Sequence, residues 1–250
     1  MAFAQSVRTG RPIPGAVATL GVSDRIAFLR KTYALLGGAL LAFAGLTGGI
    51  MLLAPDTSYR FSAWAFSGSW TWLLIMGMFM VVGTVAQKLA TSNVSHGRQL
   101  LGLAVSVIAW SIITQPILWV CMIRFGTTDA HRIISESVVI TLAIFIGLTL
   151  TVFISKKDFS FLRGILTVGM FAAFGVILAS MLFGFQLGAL FSAAMILLMA
   201  GYILYQTSLV MSQFAPGAYV AAALMLFGTV ATLFWYVLQL MMEMNGGRRR

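Results

Sequence analysis

The sequence predicts an all-α integral membrane protein, a bundle of seven transmembrane helices with the last helix near its centre. Three observations carry the membrane assignment. Hydrophobic residues make up 60% of the 250-residue chain and charged residues 9%, where soluble domains run near 45–50% and about 25%. Charge-free runs of more than about 18 residues recur from Tyr33 onward, each long enough to cross a hydrocarbon core of roughly 30 Å. The net charge of +10 sits in short Arg/Lys clusters between those runs. That pattern suits the positive-inside rule and not a nucleic-acid-binding face, because no basic surface is interleaved with aromatics.

Residues 1–29 carry Arg8 and Arg11 without a sustained apolar stretch and cleavage site, so they read as a cytoplasmic tail and not a signal peptide. The transmembrane domain then covers residues 30–243. Span one runs over 32–54. A loop around Asp56 and Arg60 leads to span two, 66–87, with Trp64, Trp70 and Trp72 suited to the interfacial aromatic belt. After a polar loop with Asn93, His96 and Arg98, span three covers 99–123 and contains Pro116, where a kink is expected. Span four, 133–155, stops at Lys156, Lys157 and Asp158. From Gly164 to Met242 no residue is charged; roughly 80 residues suit three helices with tight turns. Gly184-Phe185-Gln186 and the Pro216-Gly217 pair break this stretch into spans 164–183, 187–211 and 217–242. Residues 244–250 form a short basic tail.

Orientation follows from the loops. Arg25, Arg30 and Lys31, then Lys88 and Arg98, then Lys156, Lys157 and Arg163 all fall on one side when the N-terminus is cytoplasmic. Seven spans put Arg248, Arg249 and Arg250 outside, against the rule, and a re-entrant or six-span arrangement stays open.

Residues that could carry chemistry are few. Paired carboxylates, H-E-x-x-H, G-x-S-x-G and clustered His/Cys are missing from the sequence, which argues against an enzyme and against a metal or cofactor. His96 and His131 fall in loops on opposite membrane faces. Asn93-Val94-Ser95 matches a glycosylation sequon in a loop assigned to the cytoplasm, and the lone Cys121 reads as a small packed hydrophobe. Gly38, Ala42, Gly45 and Gly49 share one face of span one and would let another helix approach, within the chain or in a homo-oligomer. Glu136 lies four residues after Arg132, which predicts an interfacial ion pair. On span seven Thr229, Thr232, Tyr236 and Gln239 share a face, and on span six Tyr202, Tyr205, Gln206 and Leu209 do. Polar stripes in hydrocarbon face the bundle interior, so these serve either as interhelical contacts or as a path for an ion or solute.

Several segments resemble the Bax inhibitor-1 family, particularly its bacterial YccA-like branch. Phe28-Leu29-Arg30-Lys31-Thr32-Tyr33-Ala34-Leu35-Leu36 is similar to its start of span one, and Ser155-Lys156-Lys157-Asp158-Phe159-Ser160 to its basic loop after span four. Gly201-Tyr202-Ile203-Leu204-Tyr205-Gln206-Thr207 is close to G-Y-I-L-Y-D-T; Ala223-Leu224-Met225-Leu226-Phe227, Leu233-Phe234 and Leu238-Gln239-Leu240 follow in the family's order. The resemblance implies a seven-helix bundle around its last helix. Some members carry an acidic pair in spans six and seven associated with pH-sensitive calcium leak; the matching positions here are Gln206 and Thr229, which cannot titrate near neutral pH. The YccA-like branch implies a protein of the bacterial inner membrane that modulates a membrane-bound AAA protease in quality control, with the N-terminal tail as the natural contact. A cation leak channel or transporter and a subunit of a larger membrane complex are the rival readings.

Overall fold

Backbone polar groups in hydrocarbon have no water to bond, so a spanning chain satisfies them within its own helices. The computed structural model describes residues 17–19, 21–91, 96–155 and 158–247, and its regular elements there are all helical. A 3₁₀ turn, Val17–Thr19, precedes α1 (Val22–Leu53), α2 (Pro55–Ala65), α3 (Ser69–Ala90), α4 (His96–Ser155), α5 (Leu162–Phe183), α6 (Ala189–Gln213) and α7 (Tyr219–Gly247). Six of these, all but α2, are long and apolar enough to cross a membrane. The first sixteen residues, the sequon Asn93-Val94-Ser95, Lys156, Lys157 and Arg248 to Arg250 lie outside the described residues.

The 60-residue α4 is two helices joined at Gly126, whose backbone sits at φ 77° and ψ 167°. That region is open to glycine and costly for any residue with a Cβ. Nine residues of straight helix would span about 13.5 Å, yet the Cys121 thiol lies 4.0 Å from the Ala130 carbonyl. The chain therefore doubles back. Pro116, where a kink is expected, lies inside the first half of α4 and keeps helical torsions, while the reversal falls at Gly126, where glycine permits it. The expected loop between spans three and four shrinks to that one residue.

Contacts sort the helix ends. Lys31 Nζ lies 5.4 Å from the centre of the Tyr219 ring, and the His96 and Tyr219 rings are 5.1 Å apart. The same end carries the Val17 amide donating to the Phe214 carbonyl at 3.0 Å and the Phe159 amide donating to Ser208 Oγ at 3.2 Å. At the opposite end Gln115 reaches α1 and α2, and Gly246 lies under the Arg124 guanidinium. Each half of α4 thus traverses the bundle.

The loop expected around Asp56 and Arg60 is the helix α2. Pro55 starts it, Asp56 sits in its first turn where the helix dipole favours a negative charge, and Ser58, Ser62 and Ala65 are buried. The small-residue face of α1 is also read differently. A Cβ built on Gly38, Gly45 or Gly49 meets nothing within 4 Å, and Ala42 is exposed; among the described residues no helix packs closely on this face. Close approach occurs instead at Gly102, where a Cβ would stand 2.5 Å from the Ala86 carbonyl oxygen and 2.7 Å from the Ala90 nitrogen. Any side chain at 102 would force α3 and α4 apart.

The core is built around α7. Of its most apolar 18 residues 67% are buried, against 6% for α5. Phe227, Leu226, Leu233 and Leu238 of α7 are wholly enclosed, and Phe43 of α1 packs edge-on against Phe227 and Phe234 at 5.9 and 6.3 Å. α7 packs against α1, α4 and α6, whereas α5 packs substantially against α6 alone among the described helices.

Candidate functional site

Spacing of three or four residues along α6 and α7 turns one polar side chain of each toward the other. Thr229 Oγ1 donates to Gln206 Oε1 at 2.8 Å, with both residues buried. Thr229 Oγ1 also stands 3.3 Å from the Met225 carbonyl of its own helix. The pair is neutral, and each partner is an ordinary hydrogen-bonding group at membrane depth.

The rest of the two stripes diverges. Tyr202 turns to α5, its hydroxyl donating to the Leu166 carbonyl at 3.3 Å. Tyr205 is half-buried one turn away, adjoining Gln206 in sequence. Thr232 bonds back to the Gly228 carbonyl at 2.8 Å, and Gln239 Nε2 donates to the Leu187 carbonyl at 3.4 Å. Tyr236 packs edge-on against Phe191 with ring centres 6.0 Å apart. Thr232, Tyr236 and Gln239 line a cavity of about 480 Å³ that lies toward the Gln115 end and is walled mostly by Trp, Phe, Met and Ile. The structure therefore brings Gln206 to Thr229 and places the other three α7 groups along a largely apolar space.

Arg132 Nε and Glu136 Oε1 form an ion pair of 2.8 Å along one face of α4, with the arginine side chain 69% exposed. His96 lies against Tyr219, and His131 is exposed beyond the Gly126 turn. Among the described residues no three His, Cys, Asp or Glu side chains gather as a metal site would require.

Two polar clusters escaped the sequence reading. Gln115, 1% exposed, donates to the Thr47 carbonyl at 3.2 Å and to the Ser111 carbonyl at 2.9 Å, and accepts from Ser58 Oγ at 2.8 Å. Trp119 Nε1 donates to the same Ser58 oxygen at 2.8 Å. One side chain thus ties α1, α2 and α4 together. Near the Lys31 end the hydroxyls of Tyr33 on α1, Thr149 on α4 and Thr207 on α6 are buried near one another with no hydrogen bond made among them. A single polar residue in an apolar run gives no spacing signal, so neither cluster was visible from periodicity.

Comparison with known proteins points one way. A family profile described as "Inhibitor of apoptosis-promoting Bax1" matches residues 25–246. Bax inhibitor 1 of Schizosaccharomyces pombe is 32% identical over 230 residues, 90% of this chain and 79% of its own. An uncharacterised protein of Pseudomonas aeruginosa is 33% identical over 118 residues, 46% of this chain and 52% of its own. The Golgi anti-apoptotic protein of vaccinia virus strain Lister is 27% identical over 235 residues, 92% of this chain and 91% of its own. No solved structure matches the chain significantly. With nearly all of its helical bundle inside the matched region, this chain belongs to the Bax inhibitor-1 family.

Proposed function

We propose that this protein is a non-enzymatic regulator in the quality control of membrane proteins, acting as a partner of a membrane-bound AAA protease. It crosses the inner membrane of a bacterium seven times, with the Lys31 end cytoplasmic. The seven crossings rest on the reversal at Gly126, and the orientation on Arg30, Lys31, Lys88, Arg98 and Arg163, which follow one another at that end. Two relatives carry the names Bax inhibitor 1 and Golgi anti-apoptotic protein; inhibition is a role that needs no catalytic residue.

The observation that carries this reading is the hydrogen bond between Gln206 and Thr229. A pH-gated cation leak needs a group that changes charge, and a divalent cation favours carboxylate oxygens. Two neutral side chains bonded to one another supply neither, and instead fasten α6 to α7. The exposed small-residue face of α1 is the surface best suited to another membrane helix, either of a second copy or of a larger complex.

Two measurements separate the readings. Photocrosslinkers placed in residues 1–16 and on Gly45 of α1, used in native membranes, should capture the protease or its membrane segment. Calcium and proton flux through the purified protein in liposomes should stay at the level of empty vesicles from about pH 5 to 8. Flux that follows pH, with no capture, would move the assignment to the leak pathway.

A further inference from the structure

The 480 Å³ cavity beside α7 lies within the range of small-molecule sites, roughly 300–1,000 Å³. Its wall is formed by Trp72, Met76 and Phe79 of α3, Trp110 of α4, Phe191 of α6 and Trp235 of α7. These are large, adaptable apolar groups that offer a water molecule few partners. Two of the polar groups reaching the same space inside the bundle are already engaged, and the third, Tyr236, packs its ring against Phe191. Thr232 bonds its own helix and Gln239 the Leu187 carbonyl, which leaves the interior fit for hydrocarbon and poor for a hydrated ion.

Access is lateral. The cavity is flanked by α3 and by Ile177 of α5, yet α3 packs against α2, α4 and α7 and α5 substantially against α6 alone. Met80 belongs both to the cavity wall and to the exposed surface of α3, where it is 60% accessible. Met78 and Val81 on α3, and Phe171 and Phe174 on α5, are exposed apolar side chains as well. In a bilayer this open side meets lipid tails.

The mouth is charged with both signs. Arg124 and Glu243 line the cavity at the Gln115 end, where headgroups lie. The Arg124 guanidinium stands 5.5 Å from the centre of the Phe125 ring and over Gly246, whose missing side chain leaves it room. A guanidinium binds a phosphate through paired hydrogen bonds, and a carboxylate beside it favours an ammonium and disfavours a headgroup carrying only negative charge.

We propose that this cavity is a binding site for one bilayer phospholipid with a phosphate–ammonium headgroup. One acyl chain enters between α3 and α5, the phosphate lies on Arg124 and the ammonium beside Glu243. This assignment stands independently of any protease or ion role.

Native mass spectrometry of the full chain in mild detergent tests it, with phosphatidylethanolamine, phosphatidylglycerol and palmitate offered at equal concentration. One phosphatidylethanolamine should be retained per protein in preference to the other two. Arg124→Gln should weaken that retention by roughly tenfold, the worth of one charge-assisted hydrogen bond. Glu243→Gln should erase the preference over phosphatidylglycerol, and Thr232→Phe, which fills the cavity, should abolish retention. Equal retention of all three ligands, tighter binding of palmitate, or retention untouched by both Arg124→Gln and Thr232→Phe would overturn the proposal.

A second measurement needs no variant. In vesicles of phosphatidylglycerol doped with phosphatidylethanolamine brominated on its acyl chains, quenching of tryptophan fluorescence should saturate at low mole fraction. Quenching that rises only in proportion to mole fraction reports annular contact alone and overturns the site.

Discussion

Thr229 on α7 and Gln206 on α6 meet through a 2.8 Å hydrogen bond in which the threonine donates and the glutamine carbonyl oxygen accepts. The bond is asymmetric in what each partner keeps when the other is removed. Without Gln206 the Thr229 hydroxyl retains the Met225 carbonyl at 3.3 Å, whereas without Thr229 the Gln206 oxygen stays buried with its donor gone. Thr229→Val should therefore cost about 1–2 kcal/mol and Gln206→Leu about 0.5–1 kcal/mol. Unfolding in mixed micelles as the SDS fraction is raised checks the order, and a larger loss for Gln206→Leu would contradict the donor assignment.

Placing two acids at the same positions should make stability depend on pH where the wild type does not. Two carboxylates at this separation share one proton, which raises the affinity of the folded pair for it above the free aspartate value of about 3.9. A raised folded-state pKa means that stability is present in acid and lost as pH rises through it. Gln206→Asp with Thr229→Asp should accordingly unfold at lower SDS at about pH 8 than at about pH 4.5, with the wild type nearly level across that range. The same variant in liposomes shows whether an acidic pair suffices to open an ion path.

Removing the tie at Gln115 should be more costly. Gln115→Leu deletes the bonds to the Thr47 and Ser111 carbonyls and the acceptor of Ser58, and a loss of about 2–3 kcal/mol is expected. Because Trp119 donates to the same Ser58 oxygen, its fluorescence should shift, as read from the difference spectrum against Trp119→Phe. An unchanged spectrum would mean that α2 is held by other contacts.

Gly126→Ala tests the reversal in α4. With φ at 77°, alanine should cost about 1–3 kcal/mol. The only cysteine, Cys121, is fully buried beside the turn, so maleimide labelling should speed up in the variant. Labelling at the wild-type rate would show that the turn tolerates a side chain.

The sequence disclosed what hydrocarbon enforces and concealed what distant partners decide. Apolar length marked the long helices, and the three-and-four spacing on α7 led to Thr229 and its bond to Gln206. Spacing alone did not show that Thr232 turns back on the Gly228 carbonyl or that Tyr236 and Gln239 border a largely apolar cavity. α2 was hidden because it is short and of mixed polarity, and its burial depends on distant partners such as Gln115 and Trp119, 57 and 61 positions from Ser58. Glycines were misread for a related reason. The stripe on α1 looked built for packing, whereas the helix contact that requires a glycine is at Gly102, a residue without any pattern around it.

The central position of α7 also bears on how the bundle is made. A chain is synthesised from its N-terminus, so α7 leaves the ribosome after α1, α4 and α6, the helices it packs against. Until it arrives, the faces that will enclose Phe227, Leu233 and Leu238 have only one another or lipid to lean on. Assembly thus waits for the last segment to be inserted, and a nascent chain stalled before Tyr219 would hold every outer helix and no centre.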